Sequence, residues 1–155
     1  MKKRLTTRVS LAAVSLLLLT QGTLLVTGAD MEGTQCSNRT LRGAYGFSVE
    51  GTFLPSGNQP GAVLRAVALT TFDGKGGMTQ VDHYVVNGAP QTPPNTAWPA
   101  SSGTYTVNSD CTGTMTLNVP NLPPFVSYFI ILRNGKEIRT VLNANAVSSV
   151  GVKVE

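Results

Sequence analysis

From Gly43 onward, apolar and polar residues alternate in short runs separated by turn formers. A period of two sends successive side chains to opposite faces of a strand. The clearest case is Gly103–Val119, where Thr104–Asn108 and Thr114–Val119 alternate around the turn-rich Ser109–Gly113. That pattern predicts a hairpin with Tyr105, Val107, Met115, Leu117 and Val119 on one buried face. Upstream, Gly43–Phe53 predicts a strand with Tyr45, Phe47 and Val49 on one side. Ala62–Phe72, apolar on both faces, and Met78–Val86 follow as strands, joined by the tight turn Asp73–Gly77. Downstream, Phe125–Arg133 and Lys136–Leu142 flank Asn134-Gly135, a two-residue hairpin signal, and Ala146–Val154 is the last strand.

Beyond the N-terminal region no helical period persists, so the expected fold is all-β, an eight-stranded antiparallel up-and-down meander. Eight strands twist far enough to close into a barrel, which removes both exposed edges. A two-sheet β-sandwich is the alternative. Up-and-down connection sends successive turns to alternate ends. Asp73–Gly77, Ser109–Gly113 and Asn134-Gly135 share a tight end, whereas Leu54–Gly61, Asn87–Ser102, Pro120–Pro124 and Asn143–Asn145 share a loop-rich one. Binding loops are usually the long ones at one end of a rigid scaffold, so the loop-rich end is the expected mouth.

Composition changes the picture once the N-terminus is set apart. Met1-Lys2-Lys3-Arg4 with Arg8 is a basic region, Val9–Leu19 is apolar and uncharged, and small or polar residues follow to Ala29. That order predicts a secretory signal peptide over residues 1–29, cleaved after Gly28 or Ala29, and a single domain over residues 30–155. A membrane anchor is the rival reading, disfavoured because Gln21, Gly22 and Thr23 interrupt the apolar run and no basic stop-transfer cluster follows. The leader holds four of the twelve basic residues and none of the eight acids, so the expected mature chain carries no net charge. No basic patch is left to recommend nucleic acid, and no membrane span is expected beyond the leader. A secreted or periplasmic location follows, and there the only two cysteines, Cys36 and Cys111, favour a disulfide over free thiols or a metal site. Both fall at the tight end, so the meander permits the bond.

Three segments carry a resemblance. With Cys36-Ser37-Asn38-Arg39-Thr40-Leu41-Arg42-Gly43-Ala44-Tyr45-Gly46-Phe47, Phe72-Asp73-Gly74-Lys75-Gly76 and Gly103–Thr114, the chain resembles a group of small exported bacterial β proteins of unknown function. The resemblance implies export and a compact β fold, and it supplies no activity. At the level of fold alone the chain is similar to lipocalins and to barrels of the allene oxide cyclase type, which hold apolar ligands in the barrel.

Candidate chemistry is sparse. His83 is the only histidine, so no multi-histidine metal site exists, and its strand neighbour Asp82 points to the opposite face. Asp73-Gly74-Lys75-Gly76-Gly77 opens no helix and lacks the acidic positions of a calcium loop, so it is a turn. No serine sits in a Gly-x-Ser-x-Gly elbow. Thus no catalytic residue, cofactor or metal is expected. Folding the first hairpins brings Glu50 opposite Arg65 and Arg65 near Tyr84, a row beside the mouth. Pointing inward it would anchor a ligand, and pointing outward it is a surface ion pair. A register shift of one residue decides between them. Trp98, among the prolines of the mouth loop, is expected either to cap the barrel or to cover a ligand.

The expected ligand-binding set is therefore Glu50, Arg65, Tyr84 and Trp98, and the leading functional expectation is a non-catalytic binding module for a small apolar or amphipathic ligand. A structural or interaction protein with a filled barrel, acting as a homo-oligomer or envelope partner, is the second. An isomerase of the allene oxide cyclase kind, with a carboxylate or tyrosine directed into the cavity, is the third.

Overall fold

Turn chemistry and strand alternation meet in a single antiparallel sheet that closes on itself. A computed structural model of the chain describes residues 35–55, 60–91 and 96–155, within a compact unit spanning Glu32–Glu155. The signal peptide expected over residues 1–29 lies outside the described residues. The strands are β1 (Arg42–Phe53), β2 (Ala62–Asp73), β3 (Gly77–Val86), β4 (Ala89–Pro90), β5 (Ala100–Val107), β6 (Thr112–Asn118), β7 (Phe125–Leu132), β8 (Glu137–Leu142) and β9 (Ala146–Lys153). Neighbours run β2-β1-β9-β8-β7-β6-β5-β3, and a β2–β3 ladder joins the two ends into an eight-stranded barrel. That ladder sets the sandwich aside. β4 is a short addition hydrogen-bonded to the end of β3.

β4 corrects the expectation of an unbroken loop over Asn87–Ser102. Asn87 and Gly88 both adopt positive φ, 50° and 81°, the backbone a tight hairpin needs to match strand twist. Asn87 also clasps β2: its amide donates to Val63 O and its Oδ1 accepts from Val63 N. A second boundary shifts at Asn134-Gly135, where the turn takes four residues because β7 stops at Leu132 and β8 begins at Glu137. Gly135 sits at φ 83°, and a Cβ there would lie 2.6 Å from Thr40 O, so only glycine fits.

The tight end is packed shut. Leu41, Tyr45, Phe72 and Ile138 are fully buried there, with Tyr105, Phe129 and Ile131 around them. Burying each such side chain contributes about 1.5–3 kcal/mol. Tyr45 and Tyr105 both meet Phe72 edge-on, with ring centroids 5.4 and 5.0 Å away. Their hydroxyls do not stay orphaned: Tyr45 donates to Gly135 O and Tyr105 to Leu41 O. Leu41 arrives from the segment before β1, which crosses this end and is tied to all three tight turns. Cys36 N donates to Ser109 O, Asn38 Nδ2 donates to Lys75 O, and Gly135 lies against Thr40. The disulfide between Cys36 and Cys111, with Cα atoms 4.9 Å apart, completes the attachment.

Candidate functional site: a half-filled barrel

The packing that closes the tight end does not continue to the loop-rich end. Inner positions become smaller on the way: β2 passes from Phe72 and Thr70 to Ala68 and Ala66, and Ser127, Thr140 and Ser149 line the facing strands β7, β8 and β9. The result is a cavity of about 380 Å³. That volume suits a small ligand, for which pockets of about 300–1,000 Å³ are usual. Phe47, Val49, Leu64, Met78, Met115 and Leu117 give it an apolar body. Phe47 can lie flat against the wall because its partner across the ladder is Gly151, where a Cβ would come within 2.5 Å of the ring. At the mouth Phe53 and Phe125 stack with ring centroids 6.4 Å apart, bridging β1 and β7 across the interior.

One wall is polar. Met78, Gln80, Asp82 and Tyr84 alternate along β3, so all four share the inner face. Thr70 on β2 is paired with Gln80, and its Oγ1 donates to Gln80 Oε1 at 2.8 Å. Gln80 Nε2 in turn donates to Asp82 Oδ2 at 2.7 Å. Burial holds the Asp82 carboxyl above its ordinary value, against the smaller opposing effects of the Gln80 hydrogen bond and of His83. Tyr84 continues the row toward the mouth, where Gln91 is brought in by the β4 hairpin and its amide donates to Tyr84 O. On the opposite wall Thr140 and Ser149 share a hydrogen bond of 2.7 Å. Asp82 is the only carboxylate among the lining residues, and no lysine, arginine or histidine is among them.

The expected row Glu50–Arg65–Tyr84 does not assemble. Glu50 and Arg65 do stand directly opposite each other, but on the outer face, where both are exposed and Arg65 Nη1 donates to Leu64 O. Arg65 is paired with Val85, and Tyr84 with Ala66. This one-residue difference sends Tyr84 inside and leaves the two charges outside. Trp98 is 53 % exposed and sits on the outer wall, its ring centroid 6.1 Å from that of His83. His83 Nδ1 lies 2.9 Å from Ala97 O, which fixes this contact away from the cavity. Tyr84 is thus the one expected site residue that lines the cavity, and Thr70, Gln80 and Asp82 are the ones the pattern left unassigned.

Among the described residues no cluster of three potential ligands could hold a metal ion, and no helix is long and apolar enough to cross a membrane. The outer face has its own character. Val67 and Leu69 of β2 and Val150 and Val152 of β9 are exposed on either side of Gly46 and Ser48 of β1, which leaves a flat apolar surface. No family model, no curated protein and no solved structure matches the chain.

Proposed function

We propose that the chain is an exported barrel that takes a small apolar or amphipathic ligand through its loop-rich end, without catalysis. The observation that carries this reading is the cavity of about 380 Å³, apolar in body with one polar wall, above a plugged base. A barrel meant only as a scaffold would gain stability by filling that space with side chains. Export rests on the leader-like N-terminus and the disulfide, and it fits the resemblance to small exported bacterial β proteins. N-terminal sequencing of secreted protein should begin near Asp30, and a mature chain retaining Met1 would refute export.

The binding test uses N-phenylnaphthylamine, a probe that fluoresces in apolar cavities. Wild type should take it up saturably. Ala66→Phe, which fills the cavity, should abolish uptake while preserving the far-UV circular dichroism. Equal uptake by the variant would place the probe elsewhere and remove the proposal.

A second reading, an isomerase of the allene oxide cyclase kind, is favoured by Asp82 and Tyr84 lining the cavity with room for a proton-transfer step between them and a substrate. The expected self-association would run through the flat outer face of β2, β1 and β9, and a concentration-independent monomer in sedimentation would exclude it.

A further inference from the structure

The hydrogen bonds of the polar wall have a direction. A carboxylate accepts only, so Gln80 must turn its amide nitrogen toward Asp82 and its carbonyl oxygen toward Thr70. The row therefore runs from Thr70 through Gln80 and ends on an acceptor, Asp82. Asp82 Oδ1 takes no partner among the described residues. Ser101, directly opposite Gln80 on β5, is a second unmet group: its buried Oγ has no hydrogen-bond partner among them. On one side Asp82 is paired with Ala68 of β2, and on the other its backbone N donates to Pro99 O; neither neighbour brings a charge, and His83, the adjacent ionisable group, lies on the outer face.

We propose that the cavity selects amphiphiles whose polar head donates hydrogen bonds, a primary alkylamine above all, and rejects the matching carboxylate. The inference rests on the reading of the barrel as a binder. An ammonium head would meet Asp82 Oδ1, supplying the opposite charge that a half-buried carboxylate lacks. An alcohol would satisfy the acceptor but bring no charge. A carboxylate would enter a space that already holds Asp82 and offers no lysine, arginine or histidine to balance it. The alkyl tail would lie along Phe47, Val49, Met115 and Leu117.

Decylamine, decanol and decanoate, equal in tail length, separate the head from the tail in displacement of N-phenylnaphthylamine at neutral pH. Decylamine should displace the probe with at least about tenfold higher affinity than decanoate, with decanol between them. In Asp82→Asn, which keeps an acceptor for Gln80, decylamine should fall to the level of decanol and decanol should be unchanged. Decanoate binding as tightly as decylamine would overturn the inference and leave the binder intact, as would an amine preference that survives Asp82→Asn. Failure of all three to displace a bound probe would overturn it too. Failure of the probe itself to bind would remove the proposed function beneath it.

Discussion

Reducing the Cys36–Cys111 bond should destabilise the barrel about as much as the loss of a large side chain from its core. The bond spans 75 residues. In the chain-entropy model, closing a loop of that length stabilises the native state by about 4.5 kcal/mol through the unfolded ensemble. For a unit of this size the unfolding entropy is about 0.25 kcal/mol per kelvin near the midpoint, so Tm should fall by about 15–20 °C. Thermal melts by circular dichroism, with and without reductant and on Cys36→Ser/Cys111→Ser, measure this directly. Because the effect resides in the unfolded chain, the urea m-value should also rise as that chain expands. Cys111 adds an internal control. It adopts φ 68°, where a side chain costs about 1 kcal/mol, so Cys111→Gly should be more stable than Cys111→Ser by about that amount. A Tm change under about 3 °C on reduction would mean that the hydrogen bonds of the crossing segment hold it alone, and the entropic reasoning would fail.

Leu41→Ala, which empties the plug at the closed end, should cost about 2–5 kcal/mol in urea unfolding, and a loss below about 1 kcal/mol would show that the crossing segment is dispensable. Two aspartates should give opposite pH signatures. Burial raises the Asp82 pKa, so its penalty is absent below the usual aspartate value of 3.8, grows as pH rises toward the folded pKa and persists at neutral pH. Asp82→Asn should therefore raise Tm at neutral pH and match wild type in acid. At Asp73 the backbone amides of Lys75, then Gly77 and Gly76, lower the pKa, so its contribution is full above 3.8 and lost as pH falls through the lower folded value. The Asp73→Ala deficit should accordingly shrink in acid, and parallel pH profiles for the two variants would refute the assignment. Gly151→Ala should push the Phe47 ring off the wall, costing about 1–3 kcal/mol and weakening probe uptake; unchanged uptake would show that this wall does not bound the site.

Strand order and register were legible because local turn chemistry sets both. Glu50 opposite Arg65 follows from counting residues out from the first hairpin, and the pairing obeys the count. The same counting slips by one between β2 and β3, and one residue is enough to exchange the inner and outer faces. Hydrophobicity does not arbitrate there. Val81 and Val85 share the outer face of β3 with His83, while Gln80 and Asp82 share the inner face with Met78. A rule that sends polar residues outward therefore reads this strand backwards. The parity with Met78, beside the buried Phe72 at the hairpin base, is the signal that would have assigned it. Asn87-Gly88 was a second available signal, a hairpin dipeptide obscured by the prolines that follow. β5 starts at Ala100 with Ser101 and Ser102, residues without an apolar rhythm, and only the ladder to β3 makes them a strand.

The two halves of the barrel depend on each other. Small inner residues at Ala66, Ala68, Ser127 and Ser149 bury little area, so the mouth half cannot hold its own walls apart by packing. The aromatic cluster at the base, the crossing segment and the disulfide fix the ends of all eight strands instead, and each ladder carries that order upward. A closed sheet transmits it without a free edge. A polar row ending in a carboxyl that accepts one hydrogen bond and faces no cation is tolerated on the same terms. Asp82 costs stability where it stands, and Asp82→Asn would remove that cost together with the negative charge on which the proposed preference for an ammonium head rests.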